Sequence, residues 1–315
     1  MTVVVKRGDR MLKRMNFAQF VNKARNKIIF FLQDSSSSYG YQKRIEEVKQ
    51  FIANNGSLCP AQNGCIVSLT SYGERINTVH LAIASIMDQT VQPDQVVLYL
   101  DKDTCSDPLP PELLTLCDRG LRIVRNVENI RGHKKYFYAM QEYPDKTIVT
   151  IDDDVLYPRK ALKQLITASK KYPKCVIARR VHRVIFDRQG KPLRYTDWLF
   201  AYRGLRRKSN DNILTGCGGT LFPPQSLPVG ALNADAIRRC ALSADDIWLS
   251  CALRSVNRVI YRAAAGVSLF WEIAGTQTSA LNRENIDEGG NDKAMGLTMK
   301  YFGLASENFS NRRKG

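Results

Sequence analysis

The stretch Thr147-Ile148-Val149-Thr150-Ile151-Asp152-Asp153-Asp154 joins a short apolar run to three consecutive carboxylates. The apolar run predicts a buried strand over residues 147–151. Adjacent carboxylates repel one another strongly unless a cation or solvent screens their charge. Because side chains alternate along a strand, Asp152 and Asp154 are expected on one side, facing one ligand. Mg²⁺ and Mn²⁺ prefer carboxylate and phosphate oxygens, which predicts a divalent-cation site. An incidental acidic loop or helix N-terminus is the alternative.

Strands and helices alternate around this stretch. The apolar patterns predict strands over Cys65–Thr70, 95–100 and Leu121–Val127, and helices over Val79–Met87, 133–143 and 161–172. This succession predicts a mainly parallel sheet with helices on both faces. Ligands of such sheets bind at the carboxyl ends of the strands, where Thr70, Tyr72 and Asp101 also lie.

The second half of the chain is less regular. It predicts one strand over 175–184, a turn at 187–190 and a last strand over 258–263. A helix is predicted over 243–256, with Ser243 as its N-cap.

The adjacent carboxylates Asp245 and Asp246 fall in the first turn of that helix. They could simply cap the helix, because its dipole stabilises negative charge there. They could equally supply a general base that takes a proton from a hydroxyl, with a pKa kept low by the helix N-terminus. The pattern leaves both interpretations open.

Basic residues near the predicted strand ends could bind phosphate. Arg75, Lys134 and Lys135 are candidates, although each alone could equally be a solvated side chain. The glycine-rich run 216–220 could let the backbone approach a ligand closely.

The chain carries 47 Lys and Arg against 30 Asp and Glu, a formal charge of +17. Such an excess favours anionic partners. Residues 177–210 are especially basic and also contain Tyr195, Trp198, Phe200 and Tyr202. This segment suits an anionic saccharide or lipid-phosphate acceptor, and it would equally suit single-stranded nucleic acid.

Residues 1–57 predict a basic N-terminal arm, followed by a catalytic domain over 58–305 and a basic tail over 306–315. An amphipathic helix over 11–32 could lie on an anionic membrane, or pack on its own domain or a second subunit of a homo-oligomer. The sequence shows neither a signal-peptide pattern nor a transmembrane run. We expect a cytoplasmic protein, with peripheral binding to the inner face of the membrane as an option.

Four segments together resemble the GT-A glycosyltransferases, in particular family-2-like bacterial enzymes that build lipopolysaccharide, O-antigen or capsule. They are VSLTSY at 67–72, TIDDDV at 150–155, GGTLFPP at 218–224 and ADDIWL at 244–249. The resemblance implies a GT-A, Rossmann-like fold and an Asp-x-Asp metal motif.

The resemblance also implies roles for residues. The donor nucleotide would be bound by Thr70, Tyr72, Arg75, Asp101, Lys134, Lys135, Asp152 and Asp153. Asp154 would ligate Mn²⁺ or Mg²⁺ directly, with Asp152 near the ribose and the metal. Gly218, Gly219, Thr220 and Trp248 would contact substrate. Asp246 would be the base, with Asp245 as its rival.

We therefore predict an inverting hexosyl or related sugar transferase that uses a nucleotide sugar, with UDP as the expected nucleotide, and a glycan or lipid-linked glycan acceptor. A nucleic-acid-binding protein that uses the positive charge is one alternative. It leaves the aspartate run unexplained, because carboxylates repel phosphate unless a metal intervenes, so we expect no nucleic-acid partner. A phosphohydrolase is another, but Leu156 stands where its usual motif has Thr.

Overall fold

The computed structural model describes residues 38–59, 62, 64–104, 108–204, 207–263, 270–276 and 289–310. The amphipathic helix predicted over 11–32 and most of the basic tail lie outside these residues. Within the described part of the chain, no helix is long and apolar enough to cross a membrane.

The described residues form twelve strands and eight α-helices. The strands are β1 Cys65–Thr70, β2 Gln95–Asp101, β3 Leu121–Val127, β4 Thr147–Thr150, β5 Val155–Leu156, β6 Val176–Ala178, β7 Val181–Arg183, β8 Lys208–Ser209, β9 Asn212–Leu214, β10 Thr220–Phe222, β11 Ile260–Arg262 and β12 Trp271–Glu272. The helices are α1 Ser38–Ala53, α2 Val79–Met87, α3 Pro111–Cys117, α4 Lys134–Glu142, α5 Ala161–Lys171, α6 Ala234–Cys240, α7 Asp245–Ser255 and α8 Gly290–Tyr301.

Eight strands form the central sheet, in the order β3-β2-β1-β4-β10-β6-β11-β8. The first four are mutually parallel, and β10 runs antiparallel to both β4 and β6. Strand β6 is therefore parallel to β4, and the carboxyl ends of β1, β2, β4 and β6 share one edge. The predicted mixed, mainly parallel α/β sheet is confirmed.

Helices cover both faces of the sheet because its strands alternate apolar side chains between two cores. Val67 and Leu69 of β1 pack in the core that includes Ile83 of α2. Ile66 of the same strand packs on the other face, with Ala139 of α4. Apolar residues on both sides explain why the strands appear in the sequence as short continuous runs.

Three predictions in the second half are corrected. The single strand over 175–184 is two strands, β6 and β7, and β7 pairs with β9 in a separate sheet. The N-cap of α7 is Ala244 rather than Ser243, and it makes no side-chain capping bond. Strand β11 is followed by β12, which pairs with β5, so it is not the last strand.

Helix α1 lies in the segment assigned to the basic arm, yet it packs on the domain. The Arg44 guanidinium donates to the backbone carbonyls of Ser85 and Tyr157, both at 2.9 Å. It also pairs with Asp88 at 2.7 Å. This part of the segment therefore belongs structurally with the sheet.

Candidate active site

The three aspartates lie at the carboxyl edge of the sheet, directly after β4. The parallel register of β1 and β4 continues one residue further, because the Ile151 N–H donates to the Ser68 carbonyl at 3.1 Å. The chain then turns, and the Asp152 N–H donates to the Tyr157 hydroxyl at 3.0 Å. The aspartates therefore leave the strand in a tight loop, and their carboxylates find different partners.

Asp153 points into the protein. Its carboxylate accepts hydrogen bonds from the Ser71 hydroxyl at 2.6 Å and the Arg75 guanidinium at 3.1 Å, and it is 4% exposed. Burial raises its pKa, although Arg75 opposes the rise. The donor-binding role predicted for Asp153 is corrected to an anchor for the loop.

Asp154 and Asp152 are half-buried and open to the edge of the sheet. Arg75 lies 3.1 Å from the Asp154 carboxylate and also stacks over the Tyr72 ring. Burial, and then the negative charges of Asp152 and Asp153, raise the pKa of Asp154 to about 7. A bound cation would stabilise the ionised form of a carboxylate that is surrounded by like charges in this way.

Lys135 connects the aspartate loop to helix α7. Its buried Nζ atom lies 2.7 Å from Oδ1 of Asp152 and 2.8 Å from Oδ2 of Asp245. Although burial alone would lower it, these two carboxylates raise the pKa of Lys135 well above its usual value. One ammonium therefore joins the two acidic clusters that the sequence singles out.

Lys134 and Asp101 form a buried ion pair with each other. Thr104 adds hydrogen bonds to the same carboxylate from its N–H at 2.9 Å and its hydroxyl at 3.1 Å. The Thr70 hydroxyl donates to the Tyr99 carbonyl at 2.8 Å. The donor contacts predicted for Lys134 and Asp101 are corrected, because each side chain is about 1% exposed and neutralises the other.

The two carboxylates of α7 differ in environment. Burial favours a raised pKa for Asp245, but Lys135 and His133 outweigh it and lower that pKa. The pKa of Asp246 is raised well above its usual value, first by burial and then by the charge of Asp245. The low pKa predicted from the helix N-terminus is therefore wrong for Asp246. Its Oδ1 accepts a hydrogen bond from the Gly216 N–H at 2.9 Å.

The glycine-rich run lies close to these groups, and its predicted approach to a ligand stays a prediction. A Cβ at Gly216 would lie 2.9 Å from the Lys135 Nζ and 3.1 Å from Asp152 Oδ1. A Cβ at Gly218 would lie 2.8 Å from the Arg180 Cβ. Gly219 has φ +83°, and Thr220 is fully buried in β10. Backbone at Gly216 therefore occupies the space beside both acidic clusters.

Two predictions about aromatic residues are corrected. Trp248 is fully buried, and its indole N–H donates to the Ala231 carbonyl at 3.0 Å, so it packs the core instead of touching substrate. Trp198 and Phe200 are also buried in that core. The basic, aromatic segment therefore does not present these rings for stacking on a base.

Sequence reasoning missed Tyr157 and Arg180 as members of this site. Tyr157 holds the Asp152 backbone from inside the core. Arg180 follows β6 at the edge that carries the aspartates. A strand end at Ala178 would have drawn attention to it, but the continuous pattern over 175–184 hides that end.

The carboxylates that could hold a cation are few. Among the described residues, no group of three or more His, Cys, Asp and Glu side chains is arranged to hold a metal ion. Asp152 and Asp154 could supply hard oxygen ligands, so a cation bound there would need further oxygens from a ligand or water. Mg²⁺ sites that use one or two carboxylates with substrate phosphates have this composition.

Comparison with protein families identifies the chain. The family model described as Glycosyl transferase family 2 matches residues 66–223, which run from β1 through β10. The chain belongs to glycosyltransferase family 2. This family 2 chain is a glycosyltransferase with a GT-A fold, as the sequence resemblance implied. No curated protein sequence matches it significantly.

Solved structures similar to this glycosyltransferase are remote in sequence. One is the mannosyltransferase PcManGT from Pyrobaculum calidifontis in complex with GDP-Man and Mn²⁺, with TM-score 0.47, 13% identity, and coverage of 92% of this chain and 83% of that one. Another is the inositol-1-phosphate CTP transferase from T. maritima, with TM-score 0.39, 12% identity, and coverage of 76% and 97%.

Proposed function

We propose that the chain transfers a sugar from a nucleotide-sugar donor to an acceptor hydroxyl, with inversion and with a divalent cation. The observation that carries this proposal is the Lys135 bridge, with Nζ–O distances of 2.7 Å to Asp152 and 2.8 Å to Asp245. The bridge supports the proposal because it joins Asp152, a proposed cation ligand, to the first turn of α7, which carries the proposed base. Inverting transfer needs these two functions on either side of one sugar.

The donor end of the site is formed by Asp152, Asp154 and Arg75. The two carboxylates would hold Mn²⁺ or Mg²⁺, which when bound neutralises charge on the departing nucleoside diphosphate. Arg75 pairs with Asp154 in this structure and is half-buried, so it can exchange that partner for a phosphate oxygen. UDP remains the nucleotide we expect. Thr70 ends β1 and Tyr72 follows it, at the place where the uracil base would lie.

The acceptor end is formed by Asp246. Asp245 forms an ion pair with Lys135, and this pairing makes its carboxylate a weaker base. Asp246 instead has a raised pKa and is fixed in orientation by the Gly216 N–H. A stronger base held beside the donor pocket suits removal of a proton from the attacking hydroxyl. Asp246 is thus the base, and Asp245 positions Lys135.

We expect a glycan or lipid-linked glycan acceptor in bacterial surface polysaccharide synthesis. The formal charge of +17 favours an anionic membrane surface as a further partner. This would place the protein at the inner face of the cytoplasmic membrane. Homo-oligomer formation through the segment 11–32 is the alternative use of that segment.

The first test is a screen of nucleotide sugars for thermal stabilisation with and without Mn²⁺. Ligand bound only to the folded state raises the melting temperature by mass action. We expect stabilisation by one nucleotide family that depends on Mn²⁺ and is lost in Asp154→Asn. The exposed variant Asp145→Asn is the matched control. Metal-independent binding, or binding retained in Asp154→Asn, would refute the donor site.

A further inference from the structure

Arg180 is a basic residue at the edge of the sheet that carries the aspartates, and the proposed donor site gives it no role. It lies two residues after the end of β6, whose carboxyl end is on the same edge of the sheet as that of β4. Its Cβ and backbone contact the position of Gly218, where any side chain would collide with it. Glycine at position 218 therefore lets the glycine-rich run pack directly against the backbone and Cβ of Arg180.

The guanidinium of Arg180 is poorly satisfied. One terminal nitrogen donates to the Cys217 sulfur at 3.2 Å, and the buried Nε has no hydrogen-bond partner. It forms no ion pair with any carboxylate of the described residues, whereas Lys135 and Arg75 each pair with two. A thiol is a weak acceptor, so most of the hydrogen-bonding capacity of this guanidinium is unused.

Arg180 lies on the acceptor side of the site. Its partner Cys217 follows Gly216, whose N–H binds Asp246, so consecutive residues of one loop contact the base and the arginine. A molecule with a hydroxyl at Asp246 could therefore reach Arg180 with a second group on the same sugar ring or its neighbour.

We propose that Arg180 binds an anionic group of the acceptor, a carboxylate or a phosphate, and so places the acceptor hydroxyl at Asp246. This inference rests on the proposed function and specifies the acceptor class. The planar guanidinium matches both anions through paired hydrogen bonds. A neutral acceptor would leave the buried Nε unsatisfied, as it is now, and would gain nothing from a charge at this position.

The test uses the full chain with Mn²⁺ and either UDP or GDP, titrated with four probes in a calorimeter. The probes are methyl glucuronide, glucose 6-phosphate, neutral methyl glucoside and inorganic phosphate. We expect one of the anionic sugars to bind, and the neutral sugar to bind at least about tenfold more weakly. Inorganic phosphate separates recognition of a bare anion from recognition of an anionic sugar.

Arg180→Gln should weaken the anionic sugar about tenfold or more and leave binding of the nucleotide with Mn²⁺ unchanged. Arg180→Lys should restore part of the affinity. Lys191→Gln removes an exposed charge from the same basic segment and should change nothing. Far-ultraviolet circular dichroism and melting temperature confirm that each variant is folded.

Three results would overturn the inference. One is equal binding of neutral and anionic sugars, and another is failure of every anionic probe to bind while the nucleotide binds. The third is a loss of nucleotide affinity in Arg180→Gln, which would assign the arginine to the donor diphosphate. The sugar titrations are repeated without nucleotide, so that acceptor binding is measured independently of donor binding. Failure of UDP and GDP to bind would count against the proposed donor site and leave the test of Arg180 intact.

Discussion

The Gly216 N–H and the Asp246 carboxylate are joined by a 2.9 Å hydrogen bond, so the glycine-rich run and the first turn of α7 meet at the proposed base. The Cα atom of the same glycine lies against the side chains of Lys135 and Asp152. One residue without a side chain thus touches both acidic clusters, and its replacement should disturb both.

Gly216→Ala should lower kcat by about tenfold or more, because misplacement of reacting groups by a fraction of an ångström is costly. The new methyl group would lie 2.9 Å from the Lys135 Nζ, so the lysine must move. Gly296→Ala in α8 is the control, since its Cβ would meet nothing within 4 Å. The control should stabilise the chain by about 0.5–1 kcal/mol and leave kcat unaltered. Equal turnover in the two variants would contradict the tight contact.

Lys135→Met should destabilise the chain by about 3–5 kcal/mol in urea unfolding, because it leaves two half-buried carboxylates without their cation. The double variant Lys135→Met with Asp245→Asn should recover part of that loss, which a simple packing defect would not. Lys163→Met, at an exposed position of α5, should change the free energy of unfolding little. Additive effects in the double variant would argue against the bridge.

Asp246→Asn should reduce kcat by about 10²–10⁴ while the dissociation constant of the nucleotide with Mn²⁺ stays the same, because a general base acts only in the chemical step. Asp245→Asn should affect both, since it frees Lys135 from one of its two carboxylates. Rapid-quench turnover and calorimetry separate these outcomes. A larger kcat loss in Asp245→Asn than in Asp246→Asn would exchange the two roles.

Stability should fall as pH drops from 6.5 towards 4, in part because of His133. This ring is buried between the Tyr136 hydroxyl and the Ala241 carbonyl, both at 2.7 Å, and burial lowers its pKa from 6.5 to about 4. The unfolded chain takes up a proton in this window and the folded chain does not, so up to about 3 kcal/mol is lost.

Urea unfolding between pH 4 and pH 7 measures that slope, and His133→Gln should reduce it. Some slope will remain, because burial also lowers the pKa of His182 well below its usual range. A slope that is identical in the variant would show that the pKa of His133 is the same in the folded and unfolded chains, which would contradict the prediction.

The sequence predicts the first half of the fold well because each strand there is a short apolar run bounded by polar residues. Strands β1 and β3 have the predicted limits, and β4 ends one residue early. The break between β6 and β7 was not predicted because the apolar residues on both sides of Arg179 and Arg180 form a pattern that one continuous strand would also give. In fact Arg179 is buried and donates to the Gly218 carbonyl at 3.1 Å, which only the tertiary structure reveals.

The sequence identified the charged residues that lie at the site, but it did not predict which of them pair with one another. The two acidic clusters and the glycine-rich run, each identified separately from the sequence, lie together in the structure. Lys134 and Lys135 are neighbours in sequence with the same local character, yet Lys134 neutralises Asp101 and Lys135 bridges Asp152 and Asp245. The direction in which each side chain leaves the helix, and the identity of residues 17 to 110 positions away in the sequence, decide this difference.

Arg44 is connected to the proposed donor site through two hydrogen bonds of Tyr157. It holds the Tyr157 carbonyl, and the hydroxyl of the same tyrosine receives the N–H of Asp152. A recombinant fragment that starts at residue 58 would keep every residue of the catalytic edge but lose this clamp. Helix α1 therefore supports the loop that carries the proposed cation ligands, and shortened versions for crystallography or inhibitor screening should retain it.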